Sequence, residues 1–173
     1  TACISDTQGG AGLNLAQALA SGGVIRFNCP VGSTIRVTGN YTLSANTQID
    51  GGDAVTLDGH GAFGPMLRAS ANVILRRLTV RGFAQRPPPG IGRLTGSVLA
   101  ASGDAELDHV TIETSDFPVD VRGAATVKDS VFIGNRGGLT VVVGGTARIE
   151  RTYGDPREIA DELLTNPDVD LVT

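Results

Sequence analysis

The chain predicts an all-β fold: a parallel β-helix of about six coils, closed at each end by a short helix. Three observations carry this reading. Residues 66–80, 98–112, 118–132 and 140–154 align under one another without a gap. They place Leu67, Leu99, Val119 and Val141 in one column and Ala69, Ala101, Val121 and Val143 in a second. Val73, Ala105, Ala125 and Ala147 form a third column, Leu75, Leu107, Val127 and Ile149 a fourth, and Gly103, Gly123 and Gly145 share a turn. Self-similarity at a period near twenty residues marks a stacked solenoid, because one such unit cannot bury its apolar face alone. Within a unit the apolar period is two: Leu67 and Ala69, then Val73 and Leu75, then Leu78 and Val80, so each coil holds three short strands. Finally, an antiparallel sandwich would not bring like residues into register at a recurring spacing.

Composition agrees. The chain has 173 residues, enough for one domain with a sizeable core. It holds 24 Gly, no Trp, two Tyr and five Phe, which suits a narrow interior of Val, Leu, Ile and Ala. A net charge of −4 leaves no basic stripe for phosphates and argues against a nucleic-acid partner. No apolar run reaches the length of a transmembrane helix. The start at Thr1 without Met fits removal of a signal peptide, or a trimmed chain. Cys3 and Cys29 bracket the N-terminal segment. A disulfide between them would tie the cap to the first strand; two buried thiols are the alternative.

Taken in order, residues 1–23 form the N-terminal cap. The segment 11–21 is a short amphipathic helix with Leu13, Leu15, Ala16 and Leu19 on one side, stopped by Gly22 and Gly23. Residues 24–154 are the coils. Ile25 and Phe27 point inward, then Ile35 and Val37. Ile49 and Gly51 precede Leu67 and Ala69 by about 18 residues, as Val55 and Leu57 precede Val73 and Leu75. At roughly 4.8 Å per coil the rod is on the order of 30 Å long. One insertion, 83–97, carries three consecutive prolines and is the one long loop. Residues 155–173 are the C-terminal cap, with a helix opening at Asp155, Pro156 and Glu158. With both ends closed, the chain reads as a single complete domain.

The opening of cysteine, helix, strand and cysteine over 3–29, the coils of 34–61 and the sequence FIGN at 132–135 followed by Gly137, Gly138 and Leu139 carry a resemblance. The chain resembles the right-handed parallel β-helices of the pectate-lyase-like superfamily. It is especially similar to secreted bacterial proteins with polymorphic-outer-membrane and adhesin-type repeats. The resemblance covers nearly the whole chain at the level of fold and implies a secreted or cell-surface location, but fold does not fix function.

The register predicts which side chains stack outside. Asp58, Arg76, Asp108, Lys128 and Glu150 alternate in sign, as a ladder fixing coil register would. The neighbouring turn column runs Gly59, Arg77, His109, Asp129, Arg151, where His109 lies between a cation and a carboxylate. His60 is read as a turn residue. A third column runs Arg26, Asp50, Arg68, Ala100, Asp120, Val142, with Arg122 at its turn and Arg86 and Arg93 on the loop. In the resembled lyases the substrate groove lies on such a face. There Arg68 and Arg122 would serve as base or clamp, with Asp50 and Asp120 as acid groups; Asp50, Arg86 and Arg93, with His109 of the turn column, are the candidate ligand-binding residues. Calcium would enter only with lyase chemistry, and no other cofactor or metal is expected. The carboxylates are not clustered as calcium requires, and Ala100 interrupts the face. A regular threonine array, as on ice-binding surfaces, is expected to be broken where Val131 follows Thr79 and Thr111. The resulting expectation is a secreted or surface-associated, non-catalytic binding or scaffold domain with a glycan ligand. The second expectation is a polysaccharide lyase or related enzyme acting on acidic glycans.

Overall fold

The computed structural model describes residues 7, 12–62, 65–83, 97–116, 118–136, 139–141, 146–154 and 169–172. The helix α1 (Leu15–Ser21) leads into β1 (Gly23–Arg26), β2 (Ser33–Arg36), β3 (Tyr41–Leu43), β4 (Thr47–Asp50) and β5 (Val55–Asp58). Next come β6 (Leu67–Ala69), β7 (Val73–Arg81), β8 (Leu99–Ala101), β9 (Ala105–Glu113) and β10 (Val119–Val121). The chain continues through β11 (Ala125–Lys128), β12 (Val131–Ile133), β13 (Leu139–Val141), β14 (Ala147–Glu150), β15 (Tyr153–Gly154) and β16 (Val169–Val172).

Every pairing between these strands is parallel, and together they wind a solenoid of about five turns. The long sheet has two lanes. Its first lane runs β1-β4-β7-β9-β11-β14-β16. Its second lane runs from β2 to β5, through the latter halves of β7 and β9, to β12 and β15. A five-stranded sheet, β3-β6-β8-β10-β13, closes each coil. The predicted interior column is present: Leu75, Leu107, Val127 and Ile149 are register partners and all buried.

Two register expectations are corrected. Ile49 pairs with Leu75, and Asn46 with Asn72 26 residues on, while Leu57 pairs with Val80; the early coils do not repeat at 18. The cause is the corner between the lanes. It takes residues 27–32 in the first coil and 51–54 in the second, whereas each later coil bends at one left-handed residue, Arg77, His109, Asp129 or Arg151, with at most two residues between strands. Those four residues all have left-handed backbone, with φ between 44° and 55°, a conformation that costs a non-glycine residue about 1 kcal/mol or more. At the far end, Val119 pairs with Leu139 and Val121 with Val141, so the expected partners Val141 and Val143 are displaced by two residues.

A polar spine stabilises the turn before the first lane. Asn46 Oδ1 accepts the Asn72 amide, Asn72 Oδ1 the Asp104 amide, and Asp104 Oδ1 the Ala124 amide. Each side chain thus satisfies a backbone donor one coil onward. Gly103 and Gly123 flank this spine. A Cβ at Gly123 would lie 2.5 Å from Asp104 Oδ1, which explains the glycine column.

At the N-terminal end α1 is held by a capping box: Asn14 Oδ1 accepts the Gln17 amide and Gln17 Oε1 accepts the Asn14 amide. Leu15 and Leu19 are buried, and the helix packs on β3, the first strand of the short sheet. Leu13 precedes the cap and is exposed, so it does not join the apolar stripe. The expected helix from Asp155 lies outside the described residues. Within the segment assigned to the C-terminal cap, β16 pairs in parallel with β14 and adds a rung to the first lane.

Candidate functional site

Charge on the long sheet is organised in two ladders. On the first lane Arg26, Asp50, Arg76, Asp108, Lys128 and Glu150 are successive register partners of alternating sign. Asp50, not Asp58, holds the second rung. Asp58 belongs to the second lane, where Arg36, Asp58, Arg81 and Glu113 alternate in the same way. Parallel pairing puts equivalent side chains about 4.8 Å apart, so like charges would repel and opposite ones attract. Arg76 Nη2 lies 2.7 Å from Glu106, and Arg81 Nε 2.9 Å from Asp58. Asp58 also accepts the His60 amide, which makes His60 a turn residue with positive φ.

Asp50 is buried and sits beside Arg26 and Arg76, not in the Arg68 column. Arg77 reaches back over it, Nε to Oδ1 at 3.0 Å and Nη2 to Oδ2 at 2.5 Å. This pair holds the Asp50 carboxyl below its ordinary range, against the opposing effect of burial. Its carboxylate is thereby committed to the scaffold. Arg151 grips Asp129 through two hydrogen bonds at 2.5 and 2.7 Å and likewise lowers its pKa. His109 turns to Asp108, with Nδ1 2.6 Å from Oδ1. Asp108, His109 and Asp129 bring ligand atoms within 4.8 Å of one another. Both carboxylates already face cations, however: Arg151 on Asp129 and Arg76 at 3.6 Å from Asp108.

The outward column of the short sheet runs Thr42, Arg68, Ala100, Asp120. Arg68 is exposed and Asp120 half-buried. Ala100 separates them, so they stand two strand spacings apart, about 10 Å, beyond the reach of one proton transfer. Arg122 is exposed in the turn after β10. Arg86, Arg93 and Cys3 lie outside the described residues; Cys29 packs half-buried against the core.

A feature not anticipated lies along the second lane. Thr34, Thr56, Thr79 and Thr111 are successive register partners, two rungs more than expected, before Val131 ends the row. Beside this row is an open groove of about 240 Å³ floored by Thr56, Thr79 and Thr111. Val31, Gly32, Asp53 and Ala54 wall one side, and His109 lines it further along. The wall comes from the wide corners of the first two coils, Val31 and Gly32 from 27–32 and Asp53 and Ala54 from 51–54. The Thr34 and Thr56 rungs were hidden because those corners displace the early register.

Comparison of the chain with family models, with curated proteins and with solved structures returned no match. The fold and the site geometry therefore carry the functional reading. Among the described residues, no helix is long and apolar enough to cross a membrane.

Proposed function

We propose that this chain is a secreted or surface-associated β-helix acting as a non-catalytic binding or scaffold domain, with a glycan ligand. The observation supporting it is the fate of the ionisable groups. On the long sheet they are matched against one another in ladders, and on the short sheet Arg68 and Asp120 are held apart by Ala100. A scaffold whose charges fix register, and whose carboxylate–imidazole cluster of Asp108, His109 and Asp129 is already faced by Arg76 and Arg151, suits recognition over turnover. Membership of the pectate-lyase-like superfamily and a Cys3–Cys29 disulfide belong to the same proposal; the parallel three-strand coil supports the first.

The second reading, a lyase on acidic glycans, retains Arg68, Asp120 and Arg122 as its residues, with calcium as its metal. It is favoured by the exposure of both Arg68 and Arg122. Incubation with pectate, alginate and glycosaminoglycans, with and without calcium, separates the two. The expected result is retention on a glycan without ultraviolet absorbance from unsaturated uronates. Product that disappears in Arg68→Ala would establish the enzyme instead.

A further inference from the structure

We infer that the groove along the second lane is a subsite for a neutral, extended glycan lying parallel to the solenoid axis over Thr56, Thr79 and Thr111. This rests on the binding-domain reading above and gives it a place and a ligand class.

The floor offers one hydroxyl and one methyl per coil. Strand spacing sets these about 4.8 Å apart, close to the length over which one sugar unit repeats along an extended chain. Hydroxyls bond to sugar hydroxyls, and methyls cover the apolar C–H faces between them. Two other threonines turn their hydroxyls back onto the backbone: Thr47 bonds the Ala45 carbonyl and Thr152 that of Glu150. Among the described residues, no such bond engages Thr56, Thr79 or Thr111.

The wall adds directional groups. Asp53 is exposed at the wide corner, with φ of 58°, a left-handed conformation that Asp tolerates in turns. Its carboxylate accepts from two adjacent hydroxyls of one sugar. His109 commits Nδ1 to Asp108, and its other ring nitrogen is the one left for a ligand. Val31, 87% exposed, supplies an apolar lip.

Charge sets the ligand class. Asp53 on the wall and a net charge of −4 oppose a polyuronate. An ice surface does not fit, because the threonine row is single. Two residues on along the same strands stand the charged Arg36, Asp58, Arg81 and Glu113. At about 240 Å³ the groove is smaller than a typical ligand pocket of 300 Å³ or more, so it holds a short stretch of a longer chain.

The test is an amide NMR titration of the ¹⁵N-labelled full chain with cellohexaose, xylohexaose, mannohexaose and hexagalacturonate. The expected result is saturable shifts from a neutral hexasaccharide, concentrated at Asp53, Thr56, Thr79, His109 and Thr111. The double variant Thr56→Val/Thr79→Val keeps the β-branched shape and removes two hydroxyls. It should bind about tenfold more weakly, as loss of two neutral hydrogen bonds implies, with an unchanged amide spectrum elsewhere. Shifts concentrated at Arg68, Ala100 and Asp120 would overturn the site while leaving the binding reading intact. Tighter binding of hexagalacturonate than of any neutral chain would overturn the ligand class, and saturable shifts from none of the four would overturn both readings.

Discussion

The coils from Val73 to Glu150 and those from Gly23 to Asp58 are built on the same lanes yet differ at one corner. In the later coils a single left-handed residue turns the first lane into the second, so β7 and β9 run as continuous nine-residue strands. In the earlier coils four to six residues make the same turn, and separate short strands flank it. Tight corners make the surface flush and the repeat regular. Wide corners break the repeat and raise the wall of the threonine-floored groove. The irregular region is therefore where a concave surface arises.

The largest effects should come from glycines where coils touch. A Cβ at Gly51 would lie 2.5 Å from both the Arg77 carbonyl and the Leu78 Cβ. Gly51→Ala should force the wide corner away from the next coil and cost about 3 kcal/mol, within the upper range for overpacking, read as a fall in the chemical-denaturation midpoint. In the regular region, Leu107→Ala removes a fully buried member of the interior column and should cost 2–5 kcal/mol or so. If Gly51→Ala proves neutral, the early coils are looser than described and the contrast between the regions fails.

Electrostatic changes should be intermediate. Arg77→Ala would strip the buried Asp50 of its main partner and should lower the denaturation midpoint. Asp50 has a lower pKa folded than unfolded, so its contribution is complete above the unfolded value of about 3.9. It is lost as pH falls through the folded value. Denaturation midpoints measured from pH 6 down to pH 2 should show an acid loss of stability that is smaller in Arg77→Ala. An identical acid limb in both proteins would show that this pair does not contribute.

The smallest effects belong to surface positions. Thr114 is a β-branched residue with φ of 49°, stacked between Gly82 and Gly134, which have φ of 73° and 63°. Thr114→Gly should raise stability by about 1 kcal/mol. A loss would mean that the side chain contributes more than its strain costs. Lys128→Ala, at the half-buried fifth rung of the first-lane ladder, should change stability by less than about 1 kcal/mol.

The same corners decided how much the sequence could show. In the regular coils, alternation with period two and a repeat near twenty residues placed Leu75, Leu107, Val127 and Ile149 in one column, and the alternating ladder followed from Arg76 onward. Before Arg76 the 51–54 corner adds residues with no apolar marker. Spacing alone then paired Ile49 with Leu67 and exchanged Asp58 for Asp50 in the ladder. The Asn46, Asn72 and Asp104 spine was legible in principle, since each residue immediately precedes a first-lane strand, but polar residues in turns carry no periodic signal. The pairing of Arg77 with Asp50 spans 27 residues and depends on a left-handed corner that composition does not announce. The groove was illegible for a related reason: its threonines fall into a row only once the early register is known.

The most direct test is therefore the register across the wide corner. Backbone NOEs measured by NMR should connect Ile49 with Leu75 and Gln48 with Ile74, and Thr56 with Thr79. NOEs linking Ile49 to Leu67 instead would contradict the account, removing both the six-rung ladder and the threonine floor.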